Sequence, residues 1–168
     1  MKNKLPLISA ITIAIVAIAL SVMSLSSQKK MAWFDYNKIY NDCELKKKLE
    51  TDLEKVVSAR KSELDSLQLE LTFMSNKVQS GQASNEELTQ FEDMKNRFLN
   101  FQNHYEEENY RLKEQYFTQI RKNINEKSKS YGEDRGYDYL FSAVGDGSLM
   151  YATKSEDVTE DFLNYVNQ

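Results

Sequence analysis

The sequence predicts an α+β protein, mostly helical, in which a long antiparallel helical hairpin of coiled-coil character projects as an arm from a small β-body. Three observations carry this. Residues 37–80 hold no Pro or Gly and place apolar side chains every three or four positions, the period of a packed helix. A short break around Gly81 leads at once into a second stretch of the same period. Aromatic, β-prone segments occur only on either side of this helical region.

Met31-Ala32-Trp33-Phe34-Asp35-Tyr36 is short, apolar and aromatic, and reads as a buried strand. In the first long helix Leu45, Leu49, Leu53, Val56, Leu64, Leu67, Leu71, Met74 and Val78 make a seam, with Arg60 in one slot. Asn41, three residues before Glu44, is a candidate cap for its main part. Gly81 suits the left-handed position after a helix end, and Ser84-Asn85-Glu86-Glu87 has the form of a capping box. The tip therefore lies near residues 80–84. The second seam is Leu88, Phe91, Met94, Phe98, Phe101, Tyr105, Leu112, Tyr116, Ile120 and Ile124, in a helix running to about Arg135. A break this short forces the two helices antiparallel. At about 1.5 Å per residue, the arm formed by residues 41–135 projects roughly 55–60 Å.

Beyond Gly136 the aromatic segment 137–141 reads as a strand, Gly145-Asp146-Gly147-Ser148 as a turn and residues 149–152 as a second strand, together a β-hairpin. Residues 157–161 open a closing helix with a capping hydroxyl and acidic first turn, carrying Phe162, Leu163 and Val166. Residues 31–40 and 136–168 are each too small to fold alone, so they meet as a base. Three strands and one short helix leave a meagre core, and the sequence therefore predicts an oligomer. Trp33, Phe34, Tyr139, Phe141 and Met150 are the candidates for base core and subunit interface, undivided between the two.

Composition narrows the function. The 168-residue chain has 22 Lys+Arg against 26 Asp+Glu, a net charge of −4. Such a surface repels phosphate, which argues against nucleic acid as a partner. Cys43 is the only cysteine, so no internal disulfide forms. It lies behind Asn41-Asp42, too far from the N-terminal apolar run for a lipoprotein, and reads as an incidental unpaired residue. That run, residues 5–25, follows the positive start Met1-Lys2-Asn3-Lys4. About 20 apolar residues suffice to cross a bilayer, and flanking lysines hold the N-terminus inside. Residues 1–26 are thus a secretory signal or a retained membrane anchor. Both readings stay open; Ser24-Leu25-Ser26 is a passable cleavage site, and cleavage is the favoured one. Either one places the rest of the chain outside the cytoplasm.

No constellation for catalysis stands out. His104 is the only histidine, which leaves no spaced metal motif. It sits beside Glu106, Glu107 and Glu108 on an exposed helix and reads as solvated. Gly145-Asp146-Gly147 lacks the further ligands of a calcium loop. The expectation is a non-enzyme without metal or cofactor.

The end segments carry a resemblance. Trp33-Phe34-Asp35-Tyr36-Asn37-Lys38-Ile39-Tyr40, Arg135-Gly136-Tyr137-Asp138-Tyr139-Leu140-Phe141, Leu149-Met150-Tyr151-Ala152 and Asp157-Val158-Thr159-Glu160 resemble, in order and spacing around a helical hairpin, the Skp/OmpH family of periplasmic chaperones for outer-membrane proteins. The resemblance covers residues 31–168. It implies a homotrimer whose arms enclose a cavity, where unfolded outer-membrane proteins are held without ATP. Phe73, Met74, Phe91, Met94, Phe98, Phe101 and Tyr105, in the outer half of the arm, are the candidate client contacts, since aromatic and Met side chains adapt to varied partners. A stripe of this kind equally suits the seam between paired helices. In one respect the chain departs from the family, whose arms are often basic. Residues 41–131 hold 15 basic and 17 acidic side chains, and the patches Lys46-Lys47-Lys48 and Arg121-Lys122 near the base read as solvated helix faces. The alternative function is a membrane-anchored structural or adaptor protein using the arm as a docking rod. It requires an uncleaved N-terminus and one dominant partner.

Overall fold

The computed structural model describes residues 29–168; the N-terminal signal or anchor expected at residues 1–26 lies outside them. Strand β1 is Met31–Asp35, followed by helix α1, Tyr36–Asp42, and helix α2, Glu44–Gln79. Helix α3, Asn85–Arg135, returns along α2, and strand β2, Tyr139–Ala143, follows it. A short 3-10 turn at Lys154–Glu156 leads into helix α4, Thr159–Val166.

The arm ends where local chemistry ends it. Gly81 stands at φ 72° and Gly136 at φ 66°, conformations that cost glycine nothing. Around each, two backbone bonds close the helix: Gly81 N–H to Val78 O and Gln82 N–H to Lys77 O, then Gly136 N–H to Glu133 O and Tyr137 N–H to Gly132 O. This paired pattern satisfies carbonyls that a helix end would otherwise leave orphaned. At the tip Ser84 Oγ accepts from Glu87 N–H at 3.3 Å while Glu87 Oε2 accepts from Ser84 N–H at 2.9 Å. Lys77 pairs with Glu87 across the turn.

The expected β-hairpin is not formed. β2 pairs with β1, in parallel, in register Met31↔Tyr139, Trp33↔Phe141 and Asp35↔Ala143. The whole arm is the crossover between them. Residues 149–152 form no strand; Gly145 and Gly147, both at positive φ, lead the chain away in a loop that leaves the Met150 side chain 87 % exposed. The place beside β1 that a third strand would take is filled by one bridge at Asp157, with Val158 N–H donating to Trp33 O at 2.9 Å. β2 also starts later than residue 137, because Tyr137 N–H is spent on the cap of α3.

Two further expectations are corrected. The first long helix is broken at Cys43, which is extended (φ −69°, ψ 137°). Asn41 caps nothing there; its side-chain oxygen accepts from Lys46 Nζ. At the other end, the Thr159 hydroxyl does not cap α4. It donates to Asp157 Oδ1 at 2.6 Å and accepts from Asp35 N–H at 2.9 Å, tying the strand β1 to the helix.

The core sits in the base. Phe34, Ile39, Cys43, Ile120, Ile124, Tyr131, Phe162 and Val166 form one buried cluster. The Phe162 ring lies 4.5 Å from that of Phe34 and 5.1 Å from that of Tyr131. Cys43 is thus a wholly buried core residue at the joint, not an incidental one. The Tyr131 hydroxyl donates to Asp161 Oδ2 at 2.8 Å, and Arg135 reaches the other oxygen of the same carboxylate.

Burial, and secondly the bond to Asp161, raise the Tyr131 pKa well above the ordinary tyrosine value. The neutral phenol is therefore favoured in the folded state. Its contribution is fully present below about pH 10, where an unfolded tyrosine begins to ionise, and is lost as pH rises further. In urea titrations Tyr131→Phe should cost about 1 kcal/mol at neutral pH. It should also decline less steeply than the wild type above about pH 10. Equal slopes would place the alkaline sensitivity in other tyrosines.

Candidate functional site

Two surfaces remain after the core is accounted for, one on the arm and one on the base.

On the arm, α2 and α3 face each other along the seam. Met74, Phe91, Met94, Phe98, Phe101 and Tyr105 are all half-buried on it. Its middle is polar. Arg60 donates to Asn109 Oδ1 at 2.5 Å and lies 5.3 Å above the Tyr105 ring. Tyr105 in turn donates to Glu63 Oε2 at 2.6 Å, a bond that raises its pKa. Tyr105 is therefore engaged within the arm. Phe73 is different: with Leu69, one turn earlier, it is 73 % exposed. At about 100° per residue, positions two before and two after Leu71 point away from the seam that Leu71 fills. Leu69 and Phe73 border an open depression of about 610 Å³, with Met74 and Met94 at its inner side. Leu69 belongs neither to the seam nor to the candidate client contacts read from the sequence. Its signal was there, as an i, i+4 apolar pair two positions out of phase with the seam.

On the base, strand alternation sorts the candidates. Ala32 and Phe34 point inward and are buried, with Leu140 packed against the core. Met31, Trp33, Tyr139 and Phe141 share the other face, where the rings of Tyr139 and Phe141 stack at 6.1 Å. Phe141 is 43 % and Tyr139 52 % exposed. Trp33 is half-buried because its indole N–H donates to Thr153 O at 3.0 Å, drawing the loop over one side of it. A depression of about 270 Å³ continues this face through Leu149 and Tyr151. Of the five base candidates, Phe34 is core. Trp33, Tyr139, Phe141 and Met150 lie on or beside the open face. A parallel sheet ordinarily has both faces covered; this one is bare and aromatic on one side.

Among the described residues no group of three or more His, Cys, Asp or Glu side chains is placed to hold a metal ion. No helix among them is long and apolar enough to cross a membrane. His104 lies 5.9 Å from the Tyr105 ring on the exposed arm.

The chain is thus a helical-hairpin arm with apolar side chains turned outward, on a small β-body with an aromatic outer face. The model of the family described as outer membrane protein (OmpH-like) matches residues 30–166, and the chain belongs to that family. The family points to a chaperone of outer-membrane proteins, periplasmic and generally non-enzymatic. No curated protein matches the chain. Among solved structures, a candidate outer membrane chaperone (OmpH-like) from Caulobacter crescentus CB15 is similar in fold, with a TM-score of 0.68 at 10 % identity, over 84 % of this chain and 85 % of that one.

Proposed function

We propose that this protein is an ATP-independent periplasmic holdase that keeps unfolded outer-membrane proteins from aggregating. Copies join through the bare aromatic face of the base, as a homotrimer, and their arms enclose a space for the client. The observation that carries this reading is the exposed Leu69–Phe73 pair. It lies outside the seam, so the arm's own packing does not account for it, and it lies on the outer half of the arm. A client barrel strand alternates apolar and polar residues, and its apolar side aggregates if left open. Several weak contacts to Leu69, Phe73, Met74 and Met94 shield that side without imposing a structure. Since the arm is close to neutral, capture rests on apolar contact rather than on charge.

The test is dilution of a urea-unfolded outer-membrane β-barrel protein into buffer, followed by light scattering. The wild type should suppress scattering at stoichiometric amounts. The double variant Leu69→Ser/Phe73→Ser should need severalfold more protein for the same effect, with its melting temperature unchanged, since both side chains already face water. A wild type without effect sinks the holdase reading. A double variant as active as the wild type moves the client surface off this face.

A further inference from the structure

Among the described residues the methionines are Met31, Met74, Met94 and Met150. None belongs to the buried cluster of the base, which is built from Phe, Ile, Leu, Val, Tyr and Cys side chains. They stand instead on the two open surfaces. Met31 is 48 % and Met150 87 % exposed beside the aromatic face of the base. Met74 and Met94, one from each limb of the arm, are half-buried and line the open depression bordered by Leu69 and Phe73. The single thiol is placed the opposite way. Cys43 is wholly buried and its Sγ–H donates to Tyr40 O at 3.5 Å, which closes it to oxidants.

This division has a chemical consequence. Of the two kinds of sulfur, only the thioethers meet reagents carried by solvent. A peroxide oxidises a thioether in one two-electron step. The sulfur attacks one peroxide oxygen, and an S–O bond forms as the O–O bond breaks. The hydrogen of the transferred oxygen passes to the departing oxygen, which leaves as water. Sulfur is oxidised, the peroxide is reduced, and no charge appears. The product is a polar sulfoxide in place of a soft apolar side chain. In a closed core that group would lie buried without a partner and would destabilise the fold. At Met74 and Met94 it reaches water across the open side of the depression, so the fold stands and only apolar contact is lost.

We propose that Met74 and Met94 form a reversible oxidation site, at which a peroxide turns the arm's apolar depression polar without unfolding the chain. The two thioethers line one depression, so their oxidation changes a single surface. Methionine sulfoxide is reduced back by enzymes specific for each of its two epimers, which makes the change a switch. The loss of client holding on oxidation rests on the holdase reading; the modification itself does not.

In the test, the wild type and Met74→Leu/Met94→Leu are treated with hydrogen peroxide, and each is compared with its own untreated sample. Leucine keeps the volume and the apolar character but carries no sulfur. Peptide mapping by mass spectrometry should find an added oxygen on Met74 and on Met94, with the melting temperature unchanged. The fluorescence of the apolar dye anilinonaphthalene sulfonate, recorded without client, should fall in the treated wild type and far less in the treated variant. In the light-scattering assay the treated wild type should need severalfold more protein than the untreated one. The variant should lose much less on treatment, and the two epimer-specific sulfoxide reductases should restore the wild type. Unoxidised Met74 and Met94 alongside an oxidised Met150 overturn the site. A fall in melting temperature overturns the survival of the fold. An equal loss of dye binding in the variant moves the effect to Met31 and Met150 and overturns the proposal. An untreated wild type that fails to hold client sinks the holdase reading alone, since mapping and dye still decide the modification.

Discussion

Phe162→Ala should unfold the base at temperatures where the wild type is intact, with a loss of about 3–5 kcal/mol. Phe162 is wholly buried. Its ring is the meeting point of three elements, since it touches Phe34 of β1 and Tyr131 of α3 from its place on α4. The deletion leaves a void that these elements cannot close by shifting independently, because Tyr131 and Arg135 are both bonded to Asp161, on the same helix as Phe162. A domain's total stability is about 5–15 kcal/mol, and this base is small, so the loss is a large share of it. Thermal circular dichroism at near- and far-ultraviolet wavelengths checks the result. Tertiary signal should vanish first, and the arm should fray from its base end, where Leu49, Ile120 and Ile124 lose their backing. A variant that melts within a degree or two of the wild type would show that the core lies elsewhere.

Phe141→Glu should have the second-largest effect, on assembly rather than on folding. Phe141 already stands part-exposed on the outward face of the sheet, so in the single chain a carboxylate there meets water and costs little. If that face is covered by other copies, each copy must bury an unpaired charge, at several kcal/mol. Association should weaken by at least about a hundredfold. Mass measured by light scattering, at equal concentrations, should fall from an oligomer to a single chain while the circular dichroism spectrum stays the same. Client holding should fall with it, since an isolated arm encloses no space. An unchanged mass would remove the aromatic face from the subunit interface. The matched inward substitution, Phe34→Glu, should unfold the chain, because Phe34 lies in the core.

The arm was legible from the residues because a helix is made of contacts three to five residues apart. The seam periodicity, Gly81, the Ser84–Glu87 box and the stop at Gly136 each act within one or two turns, and each stands where local chemistry places it. The candidate contacts were less legible. Periodicity marks which residues recur on one face, but the seam and a client surface use the same side-chain types. Hence six of the seven aromatic and Met candidates stand on the seam, and the most exposed apolar pair of the arm includes Leu69, which the stripe passed over.

The base depended on the tertiary structure. β1 and β2 are more than a hundred residues apart in the chain, and nothing local in residues 137–152 tells whether that segment pairs with itself or with a distant strand. The apparent hairpin gave way to a parallel pair because β1, with Phe34 anchored in the core, offered β2 a backed edge. The break at Cys43 and the cap that follows it have the same origin: the Glu44 N–H donates to the side-chain oxygen of Asn167 at 2.8 Å, so a neighbour in space supplied the group that no neighbour in sequence did. By itself, then, the sequence determined the helical hairpin, its tip and its end, along with a base that brings the two flanks together. How the strands pair, which aromatic side chains face outward and where the arm joins the base were decided only in the folded chain, because those bonds form between residues that become neighbours on folding.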